Sequence, residues 1–482
     1  MIIDLETTVP PNKHFDVCIM GAGPAGITTA IKLGEAGYVI ALLEGGGEIY
    51  DQKSQSLYSC ETTGTDLWPA SMRLRYFGGT SNHWAGRCRP FDASDFDQEH
   101  YSGMPGWPIE YQEIERHLPE AMNILDLPAE KFSSINPSLA ERRFAADAFQ
   151  KSPPTRFALK YKEFFEQSEN VILFLNANAI NLDIEPDSGQ VKAVEIKNYS
   201  NKDYSVTASE FVLSMGAIEN ARFLLNQEYI HRNHKMVGSC LMEHLNVKLG
   251  EFILKEGYEK KGRQFFTHSS FTEKYKIGKS NITFGVIKNI KTYGRTAKIK
   301  KFFKTLACEY SLEDKIQFIT EFQCPGEGRI TTLMEQAPGL HSFVALSKDV
   351  DDLGQRKALV NWKIDKLDEK TIRKVAVEVA KSFADSGLGI VKLEDYILDP
   401  KKEIKYSPHA HHMGTTRMAR DEKSGVVDKN CKVFHTDNLY VAGSSIFATG
   451  GACNPTMPII QFCLRLSDHL NTKLRPLAFN QS

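Results

Sequence analysis

Three glycines, Gly21, Gly23 and Gly26, stand between the apolar run Phe15–Met20 and the helix-like run Ile27–Leu33, and Glu44 closes the next apolar run, Val39–Leu43. Residues of these types at this spacing hold a dinucleotide. Gly21 permits a tight turn, Gly23 lets the backbone approach a pyrophosphate, and Gly26 lets helix pack closely on strand. Pro24 and Ala25 open the helix, whose unpaired N–H groups and dipole favour negative phosphates. Glu44, with Gly45 beside it, lies about 20 residues on, at the offset of an acid that binds ribose hydroxyls. Without a ligand the same pattern would be an ordinary strand–helix turn. Strand, turn, helix, second strand and acid are all in register here, and together they favour the nucleotide.

Further chemistry-bearing residues recur along the chain. Gly78, Gly79, Thr80, Ser81, Asn82, His83, Trp84 and Ala85 follow one another in an irregular stretch. Small residues beside His and Trp suggest backbone closely approaching a flat ligand; the bland alternative is a buried turn with Trp84 in the core. The buried strand beginning at Phe211 runs out into Gly216 and Ala217 at a helix start, a second place where backbone could meet a dinucleotide. Near the C-terminal end come His409, His411 and His412, then a strand leading to Gly443 and Ser444, then Asn454, Pro455 and Thr456 before an apolar helix.

The elements that must position these residues alternate in texture. Val171–Leu175, Ala179–Ile184 and Val191–Ile196 read as strands, the last two joined by a turn at Asp187–Gly189. Tyr111–Leu125 has helical periodicity, as does Lys370–Ser386. From about 246 to 403 the pattern is that of a sheet with a helix over it. The basic run Lys298–Lys304, with Ile299, Phe302 and Phe303 interleaved, reads as a solvated helix with one buried face; a membrane-surface or partner-binding helix is the alternative.

At 482 residues the chain is too long for one compact core, so two interleaved domains are expected. A formal net charge of -1 argues against nucleic acid or an anionic membrane as the main partner. No apolar run approaches the roughly 20 residues of a membrane span, and the opening residues carry acids where a secretory leader would carry bases. Nine scattered cysteines without a CxxC point to reduced thiols and a cytoplasmic location. No metal site is expected.

Taken together, the motifs resemble the glucose–methanol–choline (GMC) flavoprotein oxidoreductases. The resemblance rests on Gly21–Gly26, Glu44–Gly46, Gly78–Ser81, Leu213–Ala217, Gly238–His244 and the final histidines followed by Asn454-Pro455-Thr456. In wording it is nearest to the branch of pyranose oxidase and related sugar dehydrogenases. It implies an α/β fold: a doubly wound, glutathione-reductase-like FAD domain (1–240 and 405–482) with an inserted sheet-based substrate domain (241–404). FAD would be held by the glycine turn, Glu44, the Gly78–Ala85 stretch, Gly216, Ala217, Gly443, Ser444 and Asn454–Thr456. His83 falls where pyranose oxidase attaches its flavin covalently. Non-covalent FAD with His83 at the flavin edge is the expectation, and covalent attachment through His83 the alternative.

By the same resemblance His411 is the catalytic histidine and Asn454 its partner, with His409 and His412 as alternatives one register away. A neutral imidazole can accept an alcohol proton near physiological pH. An asparagine amide can orient the hydroxyl without adding charge, and the flavin takes the hydride. The implied reaction is oxidation of a CH–OH group, of a sugar, glycoside or polyol, with oxygen or a quinone-type acceptor. A lyase using FAD structurally and a nicotinamide-dependent reductase are the competing readings.

Overall fold

The computed structural model describes residues 1–65, 67–97, 99–128, 143–147, 149–255, 263–286 and 327–478, with isolated positions at 299, 302, 303 and 306. Most of the basic run, Lys298, Lys300, Lys301 and Lys304 included, lies outside the described residues.

The first strand–helix–strand unit forms where the apolar pattern places it: His14–Met20, Pro24–Glu35, Ile40–Leu43. These strands read as continuous apolar runs because a parallel sheet is covered on both faces. Ile40–Leu43 is buried at every position and pairs in parallel with His14–Met20. Val171–Leu175 and then Ile2–Asp4 extend the sheet on one side, and the long strand Asp203–Leu213 on the other, all in parallel. Asp203–Leu213 serves two partners along one edge. Its first part pairs antiparallel with Val191–Lys197, which pairs in turn with Asn178–Ile184 across a turn with Gly189 at φ +70°. Its last residues, Phe211–Leu213, take Leu439–Val441 as a parallel neighbour.

That late strand decides the architecture around the site. The carboxyl ends of His14–Met20, Asp203–Leu213 and Leu439–Val441 now lie side by side, and in an open α/β sheet ligands bind outside such ends. Each leads through small residues toward a helix: Pro24–Glu35, Ala217–Asn226 and Thr456–Ala478. The last of these packs on the first.

A second sheet is antiparallel, in the order Gly389–Leu393, Leu245–Leu254, Glu327–Met334, Ser280–Val286, Arg263–Thr267, Phe144–Ala146. One face packs under the helix Lys366–Asp385, which Asp365 caps in a reciprocal box with Asp368. Ile372, Val375, Val379 and Phe383 of the helix join Val247, Ile282, Phe284 and Ile330 of the sheet in one core. Each such burial stabilises by about 1.5–3 kcal/mol. Strand alternation then turns Asn246, Asn281, Thr283 and Thr331 to the opposite face, where they line a cavity.

Two features depart from the sequence reading. The periodic run Tyr111–Leu125 forms two helices, Gln112–Glu115 and Leu118–Ile124. Pro119 lacks the N–H that would continue the ladder, so it sits in the first turn of the second helix. Two short strands from the first half of the chain join later ones: Cys60–Gly64 runs parallel to Arg356–Trp362, and Phe144–Ala146 edges the second sheet. Among the described residues no helix is long and apolar enough to cross a membrane, and the seven described cysteines are free thiols.

Candidate active site

The loops at the sheet's carboxyl edge and the polar face of the second sheet wall a cavity of about 880 Å³, within the range of large ligand pockets. At one end lies the glycine turn, and each glycine has a distinct geometric reason. Gly21 sits at φ +109°, where a Cβ would lie 2.7 Å from the Ser214 carbonyl oxygen. A Cβ on Gly26 would lie 1.9 Å from the Gly21 carbonyl oxygen. A Cβ on Gly23 would meet no protein atom within 4 Å and would project into the cavity. No side chain caps the helix that starts at Pro24. Glu44 is buried and accepts the N–H groups of Ala22 at 3.0 Å and Gly46 at 2.9 Å. Burial raises its carboxyl above the usual range, against those donors and Arg75.

The next wall is the loop from Gly79 to Gly86. Gly78 and Gly79 both take positive φ, which brings Gly79 against Gly23. Ser81 donates to the Gly78 carbonyl at 2.7 Å, Trp84 donates its indole N–H to Thr155 at 2.8 Å, and Arg156 clamps the carbonyls of Ser81 and Trp84. His83 lines the cavity, and burial followed by the Arg156 charge lowers its pKa. Of the residues expected to bind the cofactor, Gly26, Gly78 and Asn82 do not line the cavity. Gly26 is packed against the strand behind it. Asn82 spends its amide on the Phe77 carbonyl at 2.8 Å, holding the loop's shape. The remaining expected positions, from Gly21 through Thr456, are all on the wall.

The other end of the cavity is built by a register change. Met242 and Met413 form an antiparallel bridge, each donating its N–H to the other at 2.9 Å. That register sets residue 244 opposite residue 411. One step on, Leu245 pairs with Pro408 and Asn246 with Ser407, so His409 and Ala410 are extra residues in a bulge, Ala410 at φ +63°. His411 therefore meets His244 edge-on, ring planes at 88°, with the two Nδ1 atoms 2.9 Å apart. His409 stacks on its other side, centroids 5.7 Å apart. The Nε2 of His244 lies 3.2 and 3.0 Å from the carbonyl oxygens of Gly450 and Gly451.

Those carbonyls are firmly held. Gly451 donates its N–H to Glu335 at 2.9 Å. Thr449 accepts the indole N–H of Trp107 at 2.9 Å, and Trp107 stacks with Phe96 and Phe462. Such pairs add about 0.5–1.5 kcal/mol each beyond area burial. Glu335 is pushed up by burial but brought down to about 2 by the His100 hydrogen bond and by Lys279.

Beneath the histidines, Glu243 is fully buried and accepts the His244 N–H at 2.8 Å. Burial pushes its carboxyl up to about 8, against the backbone donors of His411, His244 and His409. The imidazoles shift the other way. Burial, then His244, His409 and His412, hold His411 well below the ordinary histidine value. Burial, then His244 and Arg87, bring His409 to about 4; burial and Arg73 bring His412 to about 3. All three are neutral near pH 7. Asn454 stands across the cavity wall with its Oδ1 unpartnered, and the buried Nδ2 of Asn281 and Nε2 of His409 are likewise without hydrogen-bond partners.

His244 and Glu243 carry no role in the sequence reading. They close the Gly238–His244 stretch that carries part of the resemblance, and only the bridge to Met413 brings them against His411.

Residues 338–462 match the model of the GMC oxidoreductase family. Two characterised relatives align along nearly the whole chain. They are the 2-methyl-1,2-propanediol dehydrogenase of Mycolicibacterium austroafricanum (22% identical, 95% of each chain) and the 6'''-hydroxyparomomycin C oxidase of Streptomyces lividus (22% identical, 95% of this chain and 91% of that one). The chain is thus similar to GMC oxidoreductases along nearly its whole length, most distinctly over residues 338–462. Solved structures agree on the fold. Pyridoxine 4-oxidase from Mesorbium loti superposes with a TM-score of 0.58 at 16% identity, covering 95% of this chain and 99% of that one. Formate oxidase from Aspergillus oryzae RIB40 superposes with a TM-score of 0.57 at 16% identity, covering 97% and 100%.

FAD is the cofactor of GMC oxidoreductases, and this cavity fits it. The open space at Gly23 is where a pyrophosphate needs backbone without a side chain. Glu44, on the same wall, would meet the ribose hydroxyls, and the uncapped start of Pro24–Glu35 would supply N–H groups for anionic oxygens.

Proposed function

We propose that the protein oxidises a CH–OH group of a sugar, glycoside or polyol to a carbonyl, with His411 as the base and Asn454 as the group that orients the hydroxyl. The observation that carries this reading is the shared cavity: the glycine turn, Glu44, neutral His411 and Asn454 all line it. Bound FAD would supply a two-electron acceptor for the carbinol hydride. His411, uncharged near neutral pH, takes the hydroxyl proton. Among the described residues the Oδ1 of Asn454 has no hydrogen-bond partner, and its amide N–H would hydrogen-bond the substrate oxygen.

The substrate class is supported by the cavity floor, where Asn246, Asn281, Thr283 and Thr331 offer amides and hydroxyls. It is supported also by relatives named for a diol and for C-glycosides. We assign residues 1–240 with 405–482 to the FAD lobe and 241–404 to the substrate lobe. Sheet membership supports this division, with Cys60–Gly64 and Phe144–Ala146 crossing it. Non-covalent FAD, an oxygen or quinone-type acceptor and a reducing, cytoplasmic setting complete the reading, the last supported by the free thiols.

Anaerobic mixing of the holoenzyme with sugars, glycosides and polyols tests it. A substrate bleaches the flavin, and His411→Ala slows that bleaching by roughly 10²–10⁴-fold, the usual contribution of a positioned base. Flavin that no alcohol bleaches would favour the lyase use of the scaffold. Acid precipitation should leave the yellow colour in the supernatant; colour in the pellet, lost in His83→Ala, would establish covalent attachment instead.

A further inference from the structure

We propose that His244 is a positioning residue that fixes the tautomer of His411 and so decides which imidazole nitrogen receives the substrate proton. The inference rests on the reading of His411 as the base. It follows from counting protons along one chain of hydrogen bonds. A backbone carbonyl oxygen has lone pairs and no hydrogen, so it can only accept. The Nε2 of His244 faces two such oxygens, those of Gly450 and Gly451, at 3.2 and 3.0 Å. That nitrogen must carry a hydrogen.

A neutral imidazole has one N–H, which leaves the Nδ1 of His244 bare. The Nδ1 atoms of His244 and His411 are 2.9 Å apart, a hydrogen bond that needs one proton between them. Since His244 has none to give, it comes from His411. His411 is therefore the Nδ1–H tautomer, and its Nε2 presents the lone pair. An isolated neutral imidazole favours the opposite arrangement, with the proton on Nε2, so the partner reverses an intrinsic preference. Burial keeps His244 itself neutral. The titratable groups that face the pair are Glu243, Glu335, His409 and His412.

The arrangement also determines where the proton goes. As the substrate O–H bond breaks, an N–H bond forms at His411 Nε2, while the carbinol C–H electron pair leaves with the hydride. The resulting imidazolium still donates its Nδ1–H to His244. His244 cannot relay that proton, because its own Nε2–H is committed to the two carbonyls. The proton stays on His411.

His244→Phe removes both nitrogens at similar ring size, and His244→Asn restores an acceptor oxygen near the place of Nδ1. In FAD-loaded protein we expect His244→Phe to slow anaerobic flavin bleaching by roughly 10²–10⁴-fold, the scale on which a base in the wrong tautomer is impaired. His244→Asn should recover most of that loss. A purely structural role would lower flavin content and thermal stability in both variants without rescue. Histidine-selective ¹⁵N NMR of the wild-type holoenzyme reads the tautomer directly, whether or not the variants fold. A His411 resonance pair with hydrogen on Nδ1 and a bare Nε2 supports the proposal; hydrogen on Nε2 overturns it. Fast bleaching in His411→Ala would instead remove the base assignment. Slow His411→Ala beside a fast, fully loaded His244→Phe would overturn the role of His244 alone.

Discussion

Both carboxyl oxygens of Glu243 accept the backbone N–H of His411, at 2.7 and 2.8 Å. The acid thus lies against the proposed base, which on that reading becomes cationic during turnover. His244, His409 and His412 also face it, while Gln336 accepts the backbone N–H of Glu243. Burial pushes this carboxyl up to about 8, so it gains negative charge as pH rises through that value. A negative charge below His411 favours its imidazolium form. Flavin reduction should therefore accelerate between pH 7 and 9, by roughly 10-fold if the base gains about one pKa unit. Glu243→Gln should flatten the profile. Stopped-flow reduction across that range checks it, and an inflection that survives the substitution would assign the titration elsewhere.

Gly23 and Gly26 should fail in different ways. A Cβ at Gly23 meets only the cavity, whereas one at Gly26 would stand 1.9 Å from the Gly21 carbonyl. Gly23→Val is expected to fold and to lose FAD. Gly26→Ala should lose stability first, by about 1–3 kcal/mol or more of overpacking, and FAD only as a consequence. Thermal melts of the apoproteins beside flavin content separate the two; an apo Gly23→Val as unstable as Gly26→Ala would contradict the geometry.

The orphaned Nδ2 of Asn281 points to a second hydroxyl on the substrate. The side chain is 2% exposed and its Oδ1 already accepts from Thr283, so the free donor lacks a partner until a ligand brings one. Leaving such a group unpaired costs about 1–3 kcal/mol. Asn281→Leu should lower kcat/KM on polyols by roughly 10- to 100-fold while hardly changing it on monohydric alcohols. Equal losses on both substrate classes would mean that Asn281 supports the sheet and does not read the substrate.

His409 and His412 should make the protein acid-sensitive. Their values in the fold are about 4 and about 3, against an ordinary 6.5. Below pH 6.5 the unfolded chain takes up protons that the folded one refuses. Their contribution is thus complete above pH 6.5 and is lost as pH falls from there toward 4. Each histidine contributes about 1.4 kcal/mol per pH unit across that window. Melting temperatures at pH 7, 6 and 5 should fall less steeply in His409→Asn and His412→Asn than in the wild type. Parallel slopes would place the acid sensitivity on other groups.

The nucleotide end of the site was legible because its determinants are local. Gly21, Gly23, Gly26 and Glu44 lie within one strand–helix–strand unit, and turn, helix start and acid each leave a mark at fixed offsets. The histidine end was only half legible. His409, His411 and His412 are adjacent in sequence, and what separates their surroundings is a two-residue bulge set by pairing with Leu245 and Asn246. His244 ends a stretch that carries part of the resemblance, but its contact with His411 was not legible, since it depends on a bridge between distant parts of the chain, from Met242 to Met413. Cys60–Gly64 was missed for a similar reason: it is a short, mostly exposed strand whose partner, Arg356–Trp362, is distant in sequence.

The strand Leu439–Val441 that completes the first sheet has a consequence for biosynthesis. The glycine turn is made well before the segments Gly443–Ser444 and Asn454–Thr456 that wall the same cavity. A nascent chain can form the first strand–helix–strand unit and must then wait through the whole second sheet. Until Leu439–Val441 arrives, Phe211–Leu213 shows an unpaired edge, the kind of surface that invites wrong partners. The cavity is therefore complete only once Asn454–Thr456 have been made. A chain cut short before residue 439 is expected to carry the glycine turn and an open strand edge, without the cavity walls that Gly443–Ser444 and Asn454–Thr456 supply.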